Sequence, residues 1–96
     1  MLVIVIYDVS TEAVDGKKRL SKVAKKCSVY GQRVQNSVFE CNIDWSQFIK
    51  LKGELKKIID EKKDSIRIYN LGNSYKEKVI HIGIKPSIPI DGDLII

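Results

Sequence analysis

The 96-residue chain has two cysteines, two prolines and a single histidine, and each scarcity narrows what it can be. Cys27 and Cys41 lie too far apart in sequence for the close pairs used by zinc sites and dithiol redox motifs, so neither chemistry is expected. They read as plain core thiols, and so little cysteine suits a reducing compartment better than a disulfide-stapled secreted fold. His81 lacks a partner motif and reads as structural. Long apolar runs are also missing. The longest, Leu2 to Tyr7, falls well short of the roughly 20 residues that cross a bilayer, and no basic lead-in or small-residue cleavage site marks a secretory signal. The expectation is a cytoplasmic protein with no membrane partner. No Pro-, Ser- or Gly-rich linker interrupts the chain, which reads as one domain over residues 1–96.

What the chain does have is lysine. Seventeen basic against twelve acidic residues give a net charge of +5, and a dimer would carry twice that, which favours an anionic partner. A lysine-rich surface kept for solubility gives the same count. Hydrophobic residues make up 44% and charged residues 30%, near ordinary globular values that indicate neither disorder nor a membrane protein. A chain this short buries only roughly 60 to 65% of its unfolded surface, so dimerisation is the simplest way to cover more apolar area.

Leu2 to Tyr7 is continuously apolar and β-branched, the pattern of a central strand covered on both faces, and it stops at Asp8. From Gly16 to about Val29, Leu20, Val23, Ala24 and Cys27 fall on one helical stripe while Lys17, Lys18, Arg19, Lys22, Lys25 and Lys26 cover the rest. Gly31 is the predicted helix stop. Gln32 to Ile43 reads as extended chain with a break near Gln35 and Asn36. Asp44 and Gln47 approximate a capping box for a second helix carrying Phe48, Leu51, Leu55, Ile58 and Ile59 on its apolar side. Alternation predicts a strand at Ile66 and Ile68 and another at Ile80, Ile82 and Ile84, with Asn70 to Lys76 as the loop between them.

This order matches the split βαβ, ferredoxin-like plan of an α+β domain, an antiparallel sheet with both helices on one face. The opposite face then calls for a cover, and a second copy of the sheet related by a two-fold axis supplies one. The tail, residues 86–96, ends in Leu94-Ile95-Ile96 and is expected to pair as a short strand with the partner subunit.

Ile6-Tyr7-Asp8, Lys18-Arg19-Leu20, the run Gly31-Gln32-Arg33-Val34-Gln35-Asn36-Ser37-Val38-Phe39-Glu40 and Asp64-Ser65-Ile66-Arg67-Ile68-Tyr69 together resemble the second CRISPR-associated protein family, the small ferredoxin-like endonuclease subunit of the spacer-acquisition machinery. The similarity spans almost the whole chain, and the run from Gly31 to Glu40 is its most specific part. The resemblance implies a homodimer, a divalent metal near the two-fold axis, and partnership with the larger integrase subunit. It also implies phosphodiester cleavage in DNA or RNA, with the segment from Lys85 to Pro89 faintly favouring duplex DNA.

On that resemblance Asp8 is the catalytic and metal-binding residue, taking Mg2+ or another divalent cation such as Mn2+. Two such carboxylates meeting across a dimer axis would repel unless a hard cation lay between them. Its competing role is an Asx-type turn that satisfies loop amides. Arg19 and Arg33, with Lys18, are candidate phosphate ligands, and a surface ion pair is the alternative for each arginine. Tyr7, Ser37 and Phe39 would support the cleft, although Phe39 reads equally well as core. Tyr75 and Lys76 place an aromatic among lysines, suited to gripping a strand of nucleic acid or belonging simply to a solvated loop. Beside the nuclease stands a non-catalytic adapter that bridges integrase subunits and binds duplex DNA. A small-ligand regulatory domain is a third class, disfavoured by the basic first helix.

Overall fold

The computed structural model describes residues 1–84. Six elements run in the order β1 (Leu2–Asp8), α1 (Val14–Tyr30), β2 (Gln32–Gln35), β3 (Val38–Asn42), α2 (Trp45–Ile58) and β4 (Ser65–Asn70). The strands form one antiparallel sheet in the order β2-β3-β1-β4. This is the α+β, ferredoxin-like arrangement. A βαβ unit that skips one position leaves room for the hairpin strand β3 beside β1.

Period-two alternation assigns the sheet faces. Val3, Val5 and Tyr7 of β1, Phe39 and Cys41 of β3, and Ile66 and Ile68 of β4 face the helices and pack on Val23, Cys27, Phe48, Leu51 and Leu55. Both thiols are buried in this core without a disulfide. Burial pushes Cys27 up to about 12 and Cys41 to about 11. Lys26 and Tyr30 of α1 both bind the Glu54 carboxylate on α2, which ties the helices together above the core.

Local chemistry sets the boundaries. The Asp44 side chain accepts from the Gln47 amide (2.7 Å) and the Gln47 side chain accepts from the Asp44 amide (3.0 Å), a complete capping box. Gly31 ends α1 by donating to the Cys27 carbonyl (2.9 Å). Its missing Cβ matters more than its conformation, because a Cβ there would collide with the Glu40 carbonyl and Cys41 Sγ on β3. The expected break falls between β2 and β3, and α1 starts two residues ahead of Gly16, at Val14.

One expected strand does not form. Ile80, Ile82 and Ile84 alternate as a strand would, but they are 80%, 90% and 96% exposed and hydrogen-bond into no sheet among the described residues. A strand is made by its partner edge as much as by its own pattern. β1 is also less evenly covered than its composition suggests. Its second face carries Leu2, fully buried where its main chain pairs with Leu71 and Gly72, but Ile4 is half-buried and Ile6 is 39% exposed. The expected pairing of the tail, residues 86–96, lies outside the described residues.

Candidate active site

Asp8 is the last residue of β1, opposite Ser65 of β4, and its side chain is exposed on the face away from the helices. An Asx turn would need the amide of Ser10, two residues on. That amide donates instead to Asp64 Oδ1 (3.0 Å). Asp8 therefore keeps its carboxylate available at a strand end, where loops and ligands meet a sheet. Among the described residues no three His, Cys, Asp or Glu side chains come together as a metal cage. At this strand end Asp8 offers a hard oxygen donor group of the kind that Mg2+ accepts while retaining most of its waters.

A second group gathers at the same end of the sheet but on the helix side. Tyr7 is buried, its hydroxyl donates to the Asn36 carbonyl (3.2 Å), and its amide donates to the Ser37 carbonyl (3.1 Å). Its ring stacks on Phe39 with centroids 6.1 Å apart. The Arg33 guanidinium lies 5.2 Å from the Phe39 centroid, an exposed cation held over a buried ring at the sheet edge. Burial pushes the Tyr7 phenol up, and Arg33 beside it pulls the other way. Tyr7, Ser37, Phe39 and Arg33 thus form one cluster. Phe39, 2% exposed, belongs to the core, so its part in this cluster is to carry Arg33.

Arg19 is placed differently from the phosphate-facing position expected of it. Its Nε donates to Asp64 Oδ2 (2.8 Å), one terminal nitrogen reaches Asp64 Oδ1 (3.3 Å), and the other meets Asp15 (2.9 Å). The Asp64 side chain is fully buried and that of Arg19 is 13% exposed. This is an internal ion pair, and it consumes the fork that would grip a phosphate. Lys18 remains exposed on α1 among the other lysines. Tyr75 and Lys76 lie elsewhere. The Tyr75 hydroxyl accepts from Asn42 (2.9 Å), and Asn42 pairs with Leu2 at the opposite end of β1 from Asp8. At roughly 3.3 Å per residue, β1 sets these ends about 20 Å apart within one chain.

A chain of this sequence and sheet order has relatives among known proteins. A family model described as CRISPR associated protein Cas2 matches residues 1–79. The chain belongs to the Cas2 family. It is 62% identical over 95 residues to the CRISPR-associated endonuclease Cas2 of Halalkalibacterium halodurans, covering 99% of both chains. It is 49% identical to the CRISPR-associated endoribonuclease Cas2 of Chlorobaculum tepidum over the full length of each. The crystal structure of Streptococcus pyogenes Cas2 at pH 6.5 superposes with a TM-score of 0.75 at 54% identity, covering 86% of this chain and all of that one.

Against that family background, the residue that sequence reasoning missed is Asp64. The sequence shows it only as the start of the motif Asp64 to Tyr69. The signal available was compositional: an acid directly before a β-branched strand, in a chain whose first helix is otherwise strongly basic. Nothing local told that it would be buried, accept the Ser10 and Asp60 amides (3.0 and 2.9 Å) and be held down to about 2 by Arg19 beside it. No helix among the described residues of this Cas2 chain is long and apolar enough to cross a membrane.

Proposed function

We infer that this chain is a CRISPR-adaptation nuclease that cleaves phosphodiester bonds of DNA or RNA, acting as a homodimer with Asp8 as its catalytic and metal-holding residue. The observation that carries the assignment is the Asp8 carboxylate: exposed at the end of β1, with the loop amide it would otherwise bind taken by Asp64. Relatives across the full chain carry the names endonuclease and endoribonuclease, which supports the reaction class and leaves both substrates in play. The sheet face away from the helices, with Ile6 39% and Tyr69 46% exposed, supports a two-fold partner, which would bring a second Asp8 into the assembly.

A divalent cation such as Mg2+ or Mn2+, when bound, supplies Lewis-acid chemistry: it lowers the pKa of a coordinated water and offsets charge on the phosphorane-like transition state. The chain's own part is to hold that cation through Asp8 and to orient the phosphate. In the overall hydrolysis a water oxygen bonds to phosphorus, one P–O ester bond breaks, and the water's protons end on the leaving oxygen and in solvent. Arg33, placed over Phe39, would pair with a backbone phosphate, and exposed lysines of α1 such as Lys18 would follow the strand. In the cell the larger integrase subunit is the expected partner.

A second reading, an adapter that binds duplex DNA without cutting it, rests on the exposed cations alone, Arg33 and the lysines of α1. Cleavage of labelled duplex DNA and single-stranded RNA, wild type beside Asp8→Asn, with Mg2+ or EDTA, separates the two. The nuclease reading expects metal-dependent cutting that falls by at least about 10²-fold in the variant while binding persists. Salt-sensitive binding with no Asp8-dependent cutting would make the protein an adapter.

A further inference from the structure

Asp64 and Arg19 lie 45 residues apart in sequence and join two loops that flank Asp8. One is the β1–α1 connection, which begins directly after Asp8. The other is the α2–β4 turn, which ends at Ser65, the cross-strand neighbour of Asp8. Every polar group of Ser10 on the main chain is taken by this pair: its amide donates to Asp64 (3.0 Å) and its carbonyl accepts from Arg19 (3.5 Å). Gly16 closes over the same carbonyl so tightly that a Cβ there would collide with it. Asp64 also receives the Asp60 amide (2.9 Å) at the start of its own turn. Asp15 holds the free side of the guanidinium (2.9 Å).

Resting on the reading of Asp8 as the metal-holding acid, we propose that Arg19 and Asp64 are positioning residues: a buried pair that fixes the backbone on both sides of Asp8 and so sets where its carboxylate points. Neither touches substrate. The charge of Asp64 separates this from a phosphate-binding role for Arg19. Removing an anion near a nucleic-acid site strengthens electrostatic binding, whereas loosening the frame of a catalytic acid lowers turnover, because a displacement of about 1 Å can cost roughly 10²-fold. Asp64→Asn therefore pulls the two explanations in opposite directions.

The test uses Arg19→Gln, Asp64→Asn, the double variant and the milder Arg19→Lys, all checked for folding by circular dichroism and compared per folded molecule. Three readouts are taken: cleavage kinetics, the salt dependence of duplex binding, and broadening of backbone amide NMR signals around Asp8 by added Mn2+. The positioning role expects each single variant to lose about 10²-fold in kcat with KM and salt slope unchanged, the double variant to be no worse than the singles, and Mn2+ to bind more weakly at Asp8. Faster hydrogen exchange at the Ser10 amide in Asp64→Asn is expected with it. The proposal is overturned if Arg19→Gln reduces the salt slope by about 1 while Asp64→Asn leaves kcat unchanged or raised. It is equally overturned if Mn2+ broadening is the same in wild type and variants. Should Arg19→Gln and Asp64→Asn not fold, Arg19→Lys, which keeps the charge but loses the fork, decides by the same readouts. Failure of the nuclease reading alone looks different: wild type shows no Asp8-dependent cutting, while Mn2+ broadening around Asp8 persists and still weakens in the variants.

Discussion

A carboxylate buried beside a guanidinium leaves a mark on how the protein responds to acid. Asp64 sits at about 2, below the ordinary aspartate value near 4 that it regains on unfolding. A depressed folded pKa means that the unfolded chain binds the proton more readily. The stability that Asp64 contributes is therefore complete above about pH 5 and is lost as pH falls towards 2. Thermal melts between pH 6 and pH 2 should show a steep fall in wild type and a shallower one in Asp64→Asn, which starts lower at pH 6; parallel curves would remove Asp64 from the acid response. Glu40 is opposite in sense. Burial pushes its carboxyl up, and one of its oxygens is buried without a hydrogen-bond partner among the described residues. Ionisation at Glu40 thus weighs against folding at neutral pH, and Glu40→Gln is expected to raise the melting temperature at pH 7 by a few degrees. The buried thiols, shifted upward, should stay unreactive towards Ellman's reagent in the native protein and react only after denaturant is added.

At the scale of elements, what was legible in the sequence is what is decided locally. The α2 start follows from Asp44 and Gln47, three residues apart, and Asp44→Ala is expected to cost about 1 kcal/mol in urea unfolding. The α1 stop at Gly31 and the break at Gln35 and Asn36 are likewise matters of a few neighbouring residues. Gly31→Ala should destabilise by about 1 to 3 kcal/mol by the same measurement, through its collision with β3. What was not legible depends on distant chain. Arg19 looks like any other cation on a basic helix until Asp64 is placed against it. The isoleucines at 80, 82 and 84 have the right alternation, yet nothing in a local pattern says whether an edge is free to receive them. Asp8 could be singled out by its position after an apolar strand and by family resemblance, but the reason its carboxylate is available is the Ser10 amide, whose partner lies 54 residues away.

For the whole molecule, the sheet has one face sealed by helices and one bearing Ile4, Ile6 and Tyr69. If that face meets a second copy, Ile6→Asp should turn a dimer into a monomer in sedimentation equilibrium while a single chain keeps its far-UV spectrum; an unchanged mass would place the interface elsewhere. The arrangement of β1 has a consequence for how the protein is made. Its two neighbours are β3 and β4, and its final residue, Asp8, pairs with Ser65, so the first strand to leave the ribosome is the last to find both partners. The β2–β3 hairpin and α2 close through short-range contacts and are suited to forming early, whereas the long loop joining β1 to β4 closes late. Asp8 then has a fixed setting only once β4 has emerged and docked. A nascent or partly folded chain carries Asp8 without β4 beside it, so on the proposed reading of Asp8 the capacity to cut would arise only with the finished fold.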